Sequence, residues 1–245
     1  MSGAFTEDNP SARPTGTGGG RWPLDRTSLF EVAGLYVLLS ALGVAMGWLV
    51  TSWSESSPDI GFDETTVTWW QAQRSTTLDT LTDVGSSFAD TAILSTVVAA
   101  LLLGLIFVWR LRRSAVALGL ALGFEVVVFL TVSAVIGRAR PDVEQLDPAP
   151  PTASFPSGHV GATVAFALIV TVIVFWNTRN ASWRALAVTS AIAISVIMAL
   201  SRMYRGMHFF TDVVGGALLG AAAAVAAWLV INRALERRRR NEAPV

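Results

Sequence analysis

Cysteine and lysine are absent from this chain of 245 residues, and histidine occurs only twice. Without cysteine there is no disulfide framework, no thiolate metal site and no thiol nucleophile. Without lysine, all 18 basic residues are arginine, so a bound anion meets guanidinium groups that stay charged and bind in a bidentate way. Charge is scarce at 15% and sums to zero, which gives no bulk attraction to nucleic acid. What is abundant is apolar: 52% of residues are hydrophobic and the mean hydropathy is +0.52. Such a chain is too apolar for an ordinary soluble domain and reads as a multi-span membrane protein.

Six stretches are long enough to cross a bilayer as helices, for which about 20 apolar residues suffice. They run over 29–50, 91–109, 114–137, 158–176, 184–201 and 212–231. The fold class expected is therefore all-α integral membrane, with six transmembrane helices over 29–231. Residues 1–28 are polar, rich in Gly, Pro, Ser and Thr, and without the apolar core of a signal peptide; they read as a disordered tail. Residues 232–245 read as a basic tail, with Arg237–Arg240 as a solvated anchor. Arginines concentrate at alternate span boundaries: Arg13, Arg21 and Arg26; Arg110, Arg112 and Arg113; Arg179 and Arg184; then Arg233 and Arg237–Arg240. By the positive-inside rule these four regions, and hence both termini, are cytoplasmic. The acidic segment between the first two spans is then outside, with the adjacent Trp69 and Trp70 as an interfacial belt. Residues 138–158 and 202–211 also fall outside, although each segment carries two arginines against the bias.

Those two segments hold the chemistry. His208 and Asp212 are four apart and share a helix face, so Asp212 can accept the Nδ1 proton and leave Nε2 as a nucleophile. Pro156-Ser157-Gly158-His159 opens the fourth span, with Ser157 as N-cap. The first N–H groups of that helix make an anion site, Gly158 allows close approach, and His159 suits a general acid. Arg140 and Arg202 supply guanidinium for three equatorial phosphoryl oxygens. Arg138 and Arg205 serve equally well as headgroup anchors. Phosphate binding and attack at the outer membrane face is the chemistry this cluster suits.

The residues Arg140-Pro141, Pro156-Ser157-Gly158-His159, and Ser201-Arg202 followed by His208 and Asp212 resemble, in order and spacing, the type 2 phosphatidic acid phosphatase (PAP2) superfamily of membrane lipid phosphatases. The likeness spans residues 91–231, the motif core. It implies a six-helix membrane fold and a mechanism without metal or other cofactor. His208 would form a phosphohistidine, Asp212 would orient it, and His159 would protonate the lipid oxygen and then activate water. Arg140, Arg202, Ser157 and the Gly158 N–H would hold the phosphoryl oxygens. The family's lysine, seven residues before Arg140, is Ser133 here. Arg138 is the candidate substitute, and Arg138→Ala would then nearly abolish turnover.

The implied substrate is a lipid phosphate monoester, such as phosphatidic acid, or a polyprenyl diphosphate, such as undecaprenyl pyrophosphate. The membrane is the sole other partner implied. Three rival readings remain: a phosphotransferase on the same fold, a channel with arginines lining an anion path, and a catalytically impaired relative because of Ser133. Glu125, in mid-span, reads as structural, paired with hydroxyls such as Thr131 or Ser195, or as a group touching a substrate channel.

Overall fold

The computed structural model describes residues 24–56, 61–87 and 90–242. Most of the tail expected over 1–28, including Arg13 and Arg21, lies outside the described residues, as do 243–245. Among the described residues there is no strand; the elements are α1 (Arg26–Ser56), α2 (Phe62–Ala72), α3 (Thr76–Ser87), α4 (Thr91–Leu103), α5 (Arg112–Ile136), α6 (Gly158–Asn177), α7 (Ala181–Tyr204) and α8 (Phe210–Glu242). A single π-helical turn, Gly104–Val108, continues α4. Six candidate membrane spans result, and the chain is an all-helical multi-span protein, as its apolar runs require. Helix α1 begins at Arg26, inside the expected tail, because Asp25 accepts from the backbone N–H and the hydroxyl of Ser28 across the first turn.

α6 and α8 are the centre of the bundle. Gly216 and Gly220 of α8 form a small-xxx-small pair facing α6. A side chain on Gly216 would collide with the carbonyl oxygen of Ser157, and one on Gly220 with that of Gly161. Lipid offers apolar side chains no reason to leave it, so such close backbone contact, with its dispersion energy, is what holds helices together. Around this axis, one core cluster joins α1, α5 and α8 through Leu39, Val128, Val132 and Leu219, together with Phe155. A second joins α5, α6 and α8 through Leu118, Ile169 and Ile231. A third joins α6, α7 and α8 through Val160, Met198 and Val213.

Two findings differ from the sequence expectation. The basic segment after the last span is a continuation of α8, and Arg237 is no free anchor: it pairs with Asp25 and Glu31, tying the end of α8 to the start of α1. The acidic segment after α1 contains the short helices α2 and α3. Within α2, Trp69 is half exposed, while Trp70 packs edge-on against Tyr204 of α7 at 6.3 Å.

Candidate active site

The N-terminal ends of α6 and α8, the C-terminal ends of α5 and α7, and the loop 137–157 converge at one end of the bundle. The chain leaves α5 through Gly137, whose φ of +63° is a left-handed cap that glycine adopts without strain. A cavity of about 290 Å3 lies here. Arg140, Gly158, His159 and His208 line its polar end, and Leu94, Val126, Phe129 and Leu130 its apolar wall. Val126 and Leu130 are about half exposed on the outside of the bundle, so the cavity opens sideways towards lipid.

His208 is buried, with Nδ1 2.8 Å from the carbonyl oxygen of Ser154 and Nε2 3.5 Å from Nη1 of Arg140. A carbonyl only accepts, so Nδ1 carries the proton and Nε2 turns its lone pair towards the Arg140 guanidinium. Asp212 stands 3.8 Å from Nδ1, beyond hydrogen-bond reach. The sequence reading gave the orienting bond to Asp212; here it belongs to Ser154 O, and Asp212 acts one step back. Asp212 accepts from the Ser154 hydroxyl at 2.5 Å and from Phe209 N at 2.9 Å, while its own carbonyl accepts from Ser157 N at 2.9 Å. One carboxylate thus fixes the loop that holds the imidazole. Burial lowers the pKa of His208, and the nearby Arg202 and Arg140 push the same way against Asp212, so the ring is held neutral below its ordinary range.

Arg140 reaches the site by donating to Met207 O at 2.7 Å and Thr152 O at 3.3 Å. Burial lowers its pKa and the charge of Asp212 opposes this, yet guanidinium stays protonated. His159 faces the cavity, its Nε2 3.9 Å from Asp90 Oδ1. Ser157 occupies the N-cap position of α6 but makes no capping bond through its side chain; its hydroxyl is buried and without a partner among the described residues. Its N–H is spent on Asp212, so the amides of Gly158 and His159 are the ones the helix geometry leaves free.

Two of the expected phosphate ligands are engaged elsewhere. Arg202 is buried behind the cavity, donating to Ser86 Oγ and Asp147 Oδ2, each at 2.7 Å. Asp147 also takes Arg205, at 2.8 Å from its Nε. Burial works against the Asp147 carboxylate, but hydrogen bonds from Arg205 and the charge of Arg202 hold it below the usual carboxylate range. Arg138 does not line the cavity. It bridges Asp212 at 2.5 Å and Asp63 of α2 at 2.8 Å, stacks on Phe209 at 4.3 Å and donates to Thr211. Two carboxylates, Asp63 and Asp212, engage its guanidinium here. Ser133, at the lysine position, is buried and accepts from Ala153 N at 3.0 Å, bracing the same loop as Asp212.

Asp63, Asp147 and Ser154 escaped the sequence reading. Asp63 sits in the acidic segment between the first two spans, Asp147 in the segment read for its arginines, and Ser154 is a loop serine. Among the described residues there is no cluster of three His, Asp or Glu side chains arranged to hold a metal ion.

Comparison with known proteins agrees with this architecture. The PAP2 superfamily model matches residues 114–236, and the chain belongs to the PAP2 superfamily. Phosphatidylglycerophosphatase B of Bacillus subtilis (strain 168) is 36% identical over 86 residues, which cover 35% of this chain and 42% of that protein. The chain therefore spans about two-fifths of the length of that relative. Among solved structures, a PAP2-type phosphatidylglycerolphosphate phosphatase from Bacillus subtilis superposes with a TM-score of 0.67 at 22% identity, over 82% of this chain and 96% of that one. LpxE of Aquifex aeolicus superposes with a TM-score of 0.56 at 20% identity, over 70% and 97%.

Proposed function

We propose that the chain is a membrane lipid phosphatase that works through a phosphohistidine. Nε2 of His208 attacks phosphorus as the bond from phosphorus to the lipid oxygen breaks. His159 gives that oxygen a proton, then takes one from the water that releases inorganic phosphate. Arg140, the Gly158 amide and the unpaired Ser157 hydroxyl balance charge on the phosphoryl oxygens, and Arg202 joins them by exchanging Asp147 for substrate. No step in this sequence needs a metal ion. The observation that carries the reading is the buried His208, its Nε2 3.5 Å from Arg140, lining a cavity whose other wall is apolar.

The substrate is a lipid phosphate monoester or a polyprenyl diphosphate, its chain lying along Leu94, Val126, Phe129 and Leu130. Phosphatidylglycerolphosphate, for which the Bacillus phosphatase of solved structure is named, belongs in the first panel. The site faces the extracytoplasmic side of the cell membrane, with both termini cytoplasmic. The grouping of Arg113, Trp176 and Asn232 at the opposite end supports this, since that end carries the arginines that anchor inside. Phosphate release by detergent-purified protein in EDTA, from phosphatidic acid, phosphatidylglycerolphosphate and polyprenyl diphosphate, tests the reading. Release that disappears in His208→Ala supports it; release that persists in that variant refutes the nucleophile.

One observation favours a slow enzyme. Neither Ser133 nor Arg138 gives the cavity the cation that the family pattern has there, and losing one positioned donor costs about 10²–10³ in rate.

A further inference from the structure

Among the described residues, Glu125 is the one acidic side chain in the wall of the cavity. It is buried to 5% exposure, in the middle of α5. Among the described residues it makes no hydrogen bond or ion pair: the Thr131 hydroxyl expected to satisfy it goes to Val127 O at 2.8 Å and meets Tyr36 at 3.0 Å. An unsatisfied buried carboxyl group is expensive in a membrane, where ionisable residues otherwise pair or serve a function. The bundle makes room for it nonetheless. A Cβ at Gly161 would stand 2.6 Å from its Oε1, so α6 is a glycine where the carboxyl group lies against it.

Its position relative to the reacting groups gives it meaning. Gly158 and His159 open α6, while Gly161 and Ala162, which flank Glu125, lie about one helical turn (~5 Å) farther into the bundle. A phosphoryl group held between His208 and Arg140 gives its leaving oxygen to His159. The next carbons of the leaving group then run towards Glu125. We propose that Glu125 is a specificity determinant: it accepts a hydrogen bond from a hydroxyl or ammonium group carried on the carbons next to the ester oxygen. The preferred substrates are then lipid phosphates with a donor in the leaving group, over those with only hydrocarbon there. This rests on the phosphatase reading above.

The test uses two lipids of equal chain length, 1-oleoyl-2-hydroxy-glycerol-3-phosphate and its 2-deoxy analogue, with wild type, Glu125→Gln and Glu125→Leu. Wild type is expected to favour the hydroxy lipid in kcat/KM by about 5-fold, the worth of one hydrogen bond. Glu125→Leu is expected to erase the preference by losing rate on the hydroxy lipid alone, and Glu125→Gln to retain part of it. An equal ratio in wild type and Glu125→Leu, with phosphate still released, overturns the role of Glu125 and leaves the phosphatase reading standing. Equilibrium binding of the two lipids, followed by tryptophan fluorescence in a His208→Ala background, reads the Glu125-dependent preference without turnover. If the hydroxy lipid binds more tightly in a Glu125-dependent way but wild type releases no phosphate, the enzyme reading falls and this site remains; no preference in binding or turnover removes it.

Discussion

Replacing Arg138 with alanine removes the cation that two buried carboxylates share. In the intact protein its guanidinium lies 2.5 Å from Asp212 Oδ1 and 2.8 Å from Asp63 Oδ2, and both acids are nearly inaccessible to water. Breaking a buried pair by removing one partner costs about 3–5 kcal/mol, because the other charge stays behind. Asp212 keeps its donors from Ser154 and Phe209, and Asp63 keeps Thr211, so the lower part of that range applies, about 3 kcal/mol. For a chain of this size that is a fall of about 6–12 °C in the apparent unfolding midpoint in detergent. Adding Asp63→Asn to the same variant removes one of the two stranded charges and is expected to recover several degrees. The catalytic effect should fall on kcat, since Arg138 touches the imidazole only through Asp212, Ser154 and the Ser154 carbonyl. An unchanged midpoint with a raised KM would refute this chain of contacts and return Arg138 to the phosphate.

The two histidines make pH behaviour directly observable. In a His159→Asn variant carrying labelled histidine, the His208 NMR signal is expected to titrate below the ordinary value of about 6.5; titration above that value would contradict the buried neutral ring. Because the unfolded chain takes up this proton first as pH falls, His208 contributes stability that is full above about 6.5 and is lost on acidification, visible as a falling midpoint. Asp147→Ala removes the carboxylate paired with buried Arg202, while Arg205 keeps Asp83, and is expected to cost about 3 kcal/mol, measured as the same midpoint. Gly220→Ala drives a methyl into the Gly161 carbonyl and should cost about 1–3 kcal/mol by overpacking, while Gly119→Ala, which meets open space, should be neutral.

The spans were readable because each is a continuous apolar run, and a bilayer leaves such a run one choice of backbone. The motif residues were readable because Pro-Ser-Gly-His and Ser-Arg…His…Asp sit at span ends, where polar groups stand out. His159, His208, Gly158 and Arg140 do meet in one cavity. What was not readable depends on distant partners. α2 has little apolar character, and its Asp63 matters only because Arg138 and Thr211 come to it from 75 and 148 positions away. Spacing on a helix put Asp212 against His208, but the loop bearing Ser154 intervenes, and a loop's course is not written in periodicity. Arg138 looked free for phosphate for the same reason.

The crossing of α6 and α8 has a mechanical consequence. Ser157 against Gly216 and Gly161 against Gly220 put the fulcrum of the two helices within a turn or two of His159 and His208. α8 runs on for 33 residues, about 50 Å, more than the ~30 Å hydrocarbon core. When the bilayer thickens or thins and the helices tilt, the long arm sweeps at the far end and the short arm barely moves. Bilayer thickness should therefore change the contacts around Arg113 and Arg237 well before it alters the separation of His159 and His208.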